Sequence, residues 1–480
     1  MIKHKRFAAL TATSALVLAG ACAPAAEGSV TLAARPASIN SSLLNGAWLT
    51  DGYGTIVVIT GHTMQTYDTT AISCLRNDLA GTAAGSGASR GSRRFTDNDG
   101  TVSTFTAGAR PGQARWHIDA NLSDRILRRL PRLPARCTRP TPDTPAEAFE
   151  IFWHTMAENY PFFARRGVSW PRVYRTYRPR VTAHTTRTQL LAIFADMIRP
   201  LHDEHVGIVA GQTVVAFDRP GTVIPTPQLD ARARALVERA DLQHALRTWC
   251  RGRIGYASLP GHLGYLRISG FTGYTEPYSF AANAAALRHA LDAIFTTART
   301  AGPGRLRGLV IDLRPNGGGG DPLGLAIAAR LTGRTFFGYA KQARNDPARP
   351  GRFTAPQPFW VRPARAPRYT GPVVILAGGS TVSAGETFTQ AMLQRTPRPV
   401  LIGENTQGVF SDLLTRQLPN GWWFGLPNEE YLTPSGRTYD ITGIAPAVRI
   451  PVLTAGQFAA GRDPAFRAAV AILDRARSRP

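Results

Sequence analysis

Between Asn45 and about Ile126 the chain alternates short runs of Thr, Val, Ile and aromatic residues with turns of Gly, Asp and Asn. TIVVIT, TVSTFTA and ARWHIDA are the clearest of these runs. This strand pattern, broken by turn formers, predicts a small antiparallel β domain over residues 40–138. The Gly/Ser-rich stretch AGTAAGSGASRGSRR predicts a flexible loop inside it, and the Pro/Arg-rich stretch from Leu130 to Thr144 a linker. The period then becomes helical over 144–210. Thr144 stands as N-cap, Pro145 fits the first turn, and Glu147 completes a capping box. Ala148, Phe149, Phe152, Trp153 and Met156 recur at helical spacing. A later helix carries Leu190, Leu191, Phe194, Met197, Ile198 and Leu201 on one face and runs straight into LHDEHVGI. Both stripes read as core packing.

Residues 211–254 connect to a third region, 255–480, in which apolar strands alternate with helices. LGYLRIS, RGLVIDL, PVVILAG and the start of PVLIGEN read as strands; Tyr278–Thr300, Pro322–Leu331 and Glu386–Gln394 read as helices. That alternation predicts an α/β layered core.

Composition agrees with a globular protein: 43% of the 480 residues are apolar and 18% charged. The formal charge is +24, carried by 56 basic against 32 acidic residues, and only Lys3, Lys5 and Lys341 are lysines. Near-total use of Arg over Lys reads as coding bias, and the arginines are spread without any nucleic-acid-binding motif. Nucleic acid is therefore not an expected partner. Lys3, Lys5 and Arg6 precede an uncharged run from Phe7 to Ala21 and the small residues Ala23 to Ala26. This is the pattern of a secretory signal over 1–26, too short for the roughly 18–20 residues of a membrane span. LAGAC resembles a bacterial lipoprotein cleavage box and implies Cys22 as a lipid anchor; cleavage after Ala21 or Ala26 is the alternative. Either way the protein is expected outside the cytoplasm, in the periplasm or cell envelope. In an oxidising compartment Cys74 and Cys137 can pair, or, like Cys250, serve as small buried apolar residues. Their spacings match no zinc pattern, and no metal or other cofactor is expected.

Three segments carry chemistry. In RGLVIDLRPNGGGGDP a buried strand ends at Asp312 and opens into Gly317 to Gly320, a loop that lets backbone N–H groups approach a ligand. No Gly-Lys-Ser/Thr follows, which excludes a phosphate loop. In PVVILAGGSTVSAGETF a strand leads through a small-residue turn to Ser383 and a helix. A serine there aims free N–H groups at a developing oxyanion. Ser380 or Ser383 is equally placed to act as a plain N-cap, and the G-x-S-x-G elbow is not met. In LHDEHVGI, His205 sits among acids and near His202, at a spacing that matches no zincin pattern.

Together these segments resemble the serine peptidases of the carboxy-terminal processing family, especially the tricorn-core and interphotoreceptor retinoid-binding protein-like branch. The resemblance spans roughly Thr144 to Leu473. It implies a ClpP/crotonase-like layered catalytic core. LHDEHV resembles the family's L-x-D-x-H element and implies His205 as general base. VIDLRPNGGGG resembles DLR-x-N-x-GG and implies an oxyanion donor from Gly318 or Gly319. STVSAGETF resembles SA-x-E and implies Ser383 as nucleophile with the Ala384 amide as second donor. LIGENTQG resembles the strand after the catalytic helix. YDITGIAP resembles E-x-x-G-[IV]-x-P, so Asp440 stands where the branch keeps an acid.

Two departures place the chain within the family. The segment TQGVFSD lacks the lysine of a Ser/Lys dyad, so the base must be His205. The stretch Val206 to Arg253 holds no recognisable PDZ insertion. The acid that orients the imidazole is left open, with Asp440 favoured and Glu404 and Glu204 in reserve. The implied activity is an exported serine-type endopeptidase acting on peptide or unfolded protein. A binding protein on the same fold and a serine esterase are the alternatives.

Overall fold

The computed structural model describes residues 43–477 except 84–90, 99, 277, 347–348 and 350. The expected signal stretch with Cys22, and the middle of the Gly/Ser-rich stretch, lie outside the described residues. The N-terminal β domain is a closed barrel of eight antiparallel strands. These are β1 (Gly46–Thr50), β2 (Thr55–Thr60), β3 (Thr63–Thr69), β4 (Cys74–Ala83), β5 (Ser92–Asp97), β6 (Val102–Ala107), β7 (Gln113–Ile118) and β8 (Arg125–Leu130). Inward residues such as Trp48, Val57, Phe95, Phe105, Trp116 and Leu127 fill it, and closure removes every free edge. A disulfide joins Cys74 to Cys137 and ties β4 to the linker, while Cys250 is free and buried.

Helix α1 (Pro145–Asn159) starts as the pattern predicts, with the Glu147 N–H donating to Thr144 Oγ1 at 3.2 Å. It packs against α2 (Trp170–Tyr177) and α3 (Arg187–Ile198) through Phe149, Phe152, Tyr174 and Phe194. Helix α3 does not run straight into LHDEHVGI. Pro200 follows it in a short 3-10 turn, and His202 then adopts a left-handed φ of 46°. That reversal turns the chain into β9 (Gly207–Ala210), which forms a hairpin with β10 (Thr213–Ala216) before α4 (Pro227–Val237).

The core adds β11 (Arg247–Trp249), β12 (Ile254–Leu259), β13 (Leu263–Ile268), α5 (Phe280–Ile294), β14 (Gly308–Asp312), α6 (Asp321–Ala329), β15 (Phe336–Ala343), β16 (Gln357–Val361) and β17 (Val373–Ala377). After these come α7 (Ala384–Met392), β18 (Val400–Gly403), β19 (Leu413–Gln417), β20 (Trp423–Pro427), β21 (Glu429–Leu432), β22 (Val448–Arg449) and α8 (Pro464–Arg477). One sheet runs β11-β12-β13-β14-β17-β18-β22 and is parallel from β13 onward. Helices α5, α6 and α7 cover one face through Leu287, Ile327 and Phe388. Val237 of α4 and Phe466 and Leu473 of α8 pack on the other. The Ala-rich helix is shorter than its composition implies: it ends at Ile294, and Thr296 caps a separate turn.

Two smaller sheets, β10-β9-β20-β19 and β16-β15-β21, stand beside this core. In the first, β9 opens just after His205 and β19 just after Asp412, with β20 between them. The histidine segment is thereby held next to the loop 406–412. The barrel docks on the same region: the Tyr53 hydroxyl donates to Glu429 at 2.7 Å, and Arg416 pairs with Asp68 at 3.1 Å.

Candidate active site

Ser383 is the N-cap residue of α7, and every residue of that helix is buried. Its φ of 55° and ψ of −119° are a conformation that side chains resist, and such strain persists only where surroundings enforce it. Asn316 does much of the enforcing. Its N–H donates to the Ser380 carbonyl at 2.8 Å, and its own carbonyl accepts from Val382 N–H at 3.0 Å. A Cβ on Gly385 would lie 2.8 Å from Asn316 Oδ1, so only glycine lets α7 start this close to the asparagine.

The same asparagine shapes the glycine loop. Asn316 Nδ2 donates to the Ile268 carbonyl at 2.7 Å, and its Oδ1 accepts from the Gly318 N–H at 2.9 Å. Gly318 and Gly319 have φ of +75° and +132°. A Cβ on Gly318 would stand 2.7 Å from Ser383 Cβ, and one on Gly319 2.4 Å from the Phe271 backbone. Of the two glycine N–H groups the sequence leaves open, that of Gly318 is spent on Asn316. Those of Gly319 and Ala384 have no acceptor among the described residues.

His205 is buried, and its backbone N–H donates to Asp203 Oδ1 at 3.1 Å. Asp203 Oδ2 in turn accepts from the Tyr160 hydroxyl at 2.8 Å and from Arg166 at 3.0 Å. Nδ1 of the imidazole has no hydrogen-bond partner among the described residues, and the Ser411 carbonyl faces the ring. Burial pulls the imidazole pKa down, partly opposed by the Asp203 and Asp412 carboxylates, which keeps the ring neutral and able to accept a proton near pH 7.

The loop 406–412 joins these parts. Glu386 accepts from the Ser383 N–H at 3.3 Å, from Gly408 at 2.7 Å and from Val409 at 2.9 Å. The next N–H, of Phe410, donates to Asp440 at 3.1 Å, and the carbonyl after it faces His205. Arg219 clamps the start of the loop, donating to the Gln407 carbonyl at 2.9 Å and the Thr406 carbonyl at 2.7 Å. At the loop's end Asp412 pairs with buried Lys341 at 2.6 Å; Glu429 shares that lysine at 3.1 Å. Lys341 therefore belongs to an ion-pair cluster.

The three acids proposed to orient the imidazole are differently placed, and no hydrogen bond joins any of them to His205. Asp440 accepts from Phe410 N–H and from the Thr438 hydroxyl at 2.5 Å, and burial pushes its carboxyl up to about 8. Glu404, half-buried, accepts from Val452 N–H at 3.4 Å beside Gly378. Glu204 is buried with no hydrogen-bond partner for either oxygen among the described residues; burial and the Asp218, Glu386 and Asp203 carboxylates push it up to about 8. Asp203, Asn316 and Glu386 were not singled out from the sequence, although each lies inside one of the three quoted elements. Among the described residues no group of three or more His, Cys, Asp or Glu side chains is placed to hold a metal ion, and no helix is long and apolar enough to cross a membrane.

Residues 262–450 match peptidase family S41 and residues 141–199 match the tricorn protease C1 domain. Ser383, the glycine loop and Asp440 fall within the first match, and His205 between the two. A candidate peptidase from Parabacteroides merdae is similar in fold, with a TM-score of 0.57 and 24% identity over 69% of this chain and 97% of its own. The tricorn protease shares 15% identity over 88% of this chain and 46% of its own, at a TM-score of 0.45. The photosystem II D1 C-terminal processing protease shares 18% identity over 65% and 94%, at a TM-score of 0.41. No curated protein matches the chain.

Proposed function

We propose that this chain, which belongs to the carboxy-terminal processing protease family, peptidase family S41, is an exported serine endopeptidase working through Ser383 and His205. Membership makes it a peptidase, a hydrolase of peptide bonds. One observation carries the mechanism: a strained serine opens a buried helix against a glycine loop, with two backbone N–H groups left without acceptors beside it.

In this reading neutral His205 takes the Ser383 proton as the oxygen attacks the peptide carbonyl. The N–H groups of Gly319 and Ala384 hold the oxyanion of the tetrahedral intermediate. The imidazolium then gives its proton to the leaving amine, and water, deprotonated by the same histidine, releases the acyl group. Asp203 fixes the histidine backbone, and Asp440, which accepts from the Phe410 N–H of the loop 406–412, stands where the family pattern keeps an acid. The basic n-region and apolar run at the N-terminus support export, with Cys22 as a lipid anchor in the envelope.

Hydrolysis of internally quenched peptides tests this. Wild type is expected to cleave them, while Ser383→Ala and His205→Gln lose at least about a thousandfold in kcat, as removal of a triad member does elsewhere. Melting temperatures should stay within a few degrees. Undiminished cleavage by Ser383→Ala would overturn the assignment.

A further inference from the structure

Lys341 is the one lysine beyond the N-terminal stretch, and the mechanism does not use it. It stands on β15, buried, opposite Tyr431 of β21, whose ring centre lies 4.9 Å from Nζ. A buried ammonium persists only where carboxylates answer it, and two do: Asp412 at 2.6 Å and Glu429 at 3.1 Å. Each ties the lysine to another part of the molecule. Glu429 accepts from the Tyr53 hydroxyl of the barrel at 2.7 Å and from the Asp412 N–H at 3.3 Å. The Tyr431 hydroxyl lies 3.3 Å from Asp412 and 2.8 Å from Asp321. Asp321 accepts at 2.7 Å from Thr387, one turn along α7 from Ser383.

Toward His205 the cluster ends in Ser411. The Ser411 hydroxyl donates to the Asp412 carbonyl at 2.7 Å and accepts from the Asn428 and Glu429 N–H groups, both at 3.2 Å. Residues 411 and 412 are thus held through backbone and side chain, which fixes the Ser411 carbonyl that faces the imidazole. Two carboxylates face the same ring, Asp203 from its own segment and Asp412 from the loop. Each has its own cation, Arg166 at 3.0 Å and Lys341 at 2.6 Å. Glu386 and Asp440 are engaged by the N–H groups of Gly408, Val409 and Phe410 on the same loop. With both facing carboxylates neutralised, burial decides the state of the ring. An uncompensated carboxylate there would favour the imidazolium, which cannot take the serine proton.

We infer that Lys341, acting through Asp412, is a positioning residue for His205: the pair fixes the Ser411 carbonyl against the ring and cancels the charge that would otherwise keep the imidazole protonated. That His205 is the base rests on the peptidase reading; the charge balance beside the ring does not.

Histidine side-chain NMR tests this on the protein carrying Ser383→Ala, with the His205 signal assigned by its loss in His205→Gln. The two members of the pair should move the His205 titration midpoint in opposite directions, which loosened structure alone does not do. Asp412→Asn should lower the midpoint by about one pH unit, and Lys341→Met should raise it by about as much. Lys341→Arg keeps the charge and should stay near wild type. If Lys341→Met does not fold, Lys341→Met/Glu429→Gln removes one buried charge of each sign and leaves Asp412, its side chain 35% exposed, to give the same upward shift. With Ser383 restored, the acid limb of kcat/KM for a quenched peptide should follow the NMR midpoint in each variant. Shifts of one sign in both single variants, or an Asp412→Asn midpoint equal to wild type, would overturn the assignment. If the midpoints move as expected but wild type cleaves no peptide, the peptidase reading fails and the charge balance stands.

Discussion

Replacing Glu386 by alanine removes the group that ties the serine to the rest of the site. Its carboxylate accepts three buried backbone N–H groups, those of Ser383, Gly408 and Val409, at 3.3, 2.7 and 2.9 Å. A buried donor left unpartnered costs about 1–3 kcal/mol, so the gross loss is about 3–9 kcal/mol. Relief of a desolvated carboxyl, which burial pushes up to about 7, offsets part of this. A net destabilisation of about 2–5 kcal/mol is expected. Activity should fall as well, because freeing Gly408 and Val409 releases the Phe410 contact to Asp440 and the Ser411 carbonyl at His205. Glu386→Gln keeps one carbonyl oxygen but turns an amide toward an N–H donor, so its loss should lie between wild type and alanine. Urea unfolding at pH 8 gives the stability, and hydrolysis of a quenched peptide gives kcat/KM. If Glu386→Ala stays within about 1 kcal/mol of wild type and keeps its kcat/KM, the carboxylate does not hold the loop.

Gly318→Ala should lose turnover mainly in kcat, since its methyl would lie 2.7 Å from Ser383 Cβ and 3.2 Å from the Ala384 nitrogen; wild-type kcat would contradict the packing. For Glu204 the folded carboxyl titrates at about 8 instead of 4.5. The folded state therefore holds that proton more tightly than the unfolded chain does. Its contribution to stability is full below the unfolded pKa and lost as pH rises from about 4.5 to about 8, by about 1.4 kcal/mol per unit. Glu204→Gln should match wild type at pH 4 and exceed it in urea unfolding at pH 9; equal stability at both would remove the claim. Opening the Cys74–Cys137 bridge, which spans 63 residues, by Cys137→Ser should cost about 4 kcal/mol in the chain-entropy model. An unchanged unfolding midpoint would show that the closed barrel holds β4 without it.

Strand and helix periods exposed most of this fold. The runs of the N-terminal domain and the core strands GLVID and VVILA lie where the pattern places them, because burial on one or both faces leaves a direct trace. Closure of the barrel was not legible, since pairing of β8 with β1 joins residues some eighty positions apart and has no local signature. Nor was the length of α3, where Pro200 and left-handed His202 override an apolar stripe that continues to Leu201. At the site the residue types could be read, because a strained serine and tight glycine turns restrict sequence strongly. Satisfaction of hydrogen bonds could not: that Gly318 spends its N–H on Asn316, or that Glu386 serves three donors, depends on the folded backbone.

The central claim is that Ser383 is the nucleophile. Treating wild type and Ser383→Ala with a fluorophosphonate probe, then mapping the adduct by mass spectrometry, tests it most directly. One adduct, on the peptide containing Ser383 and absent from the alanine variant, is the predicted result. Labelling at another residue, or equal labelling of both proteins, would contradict it.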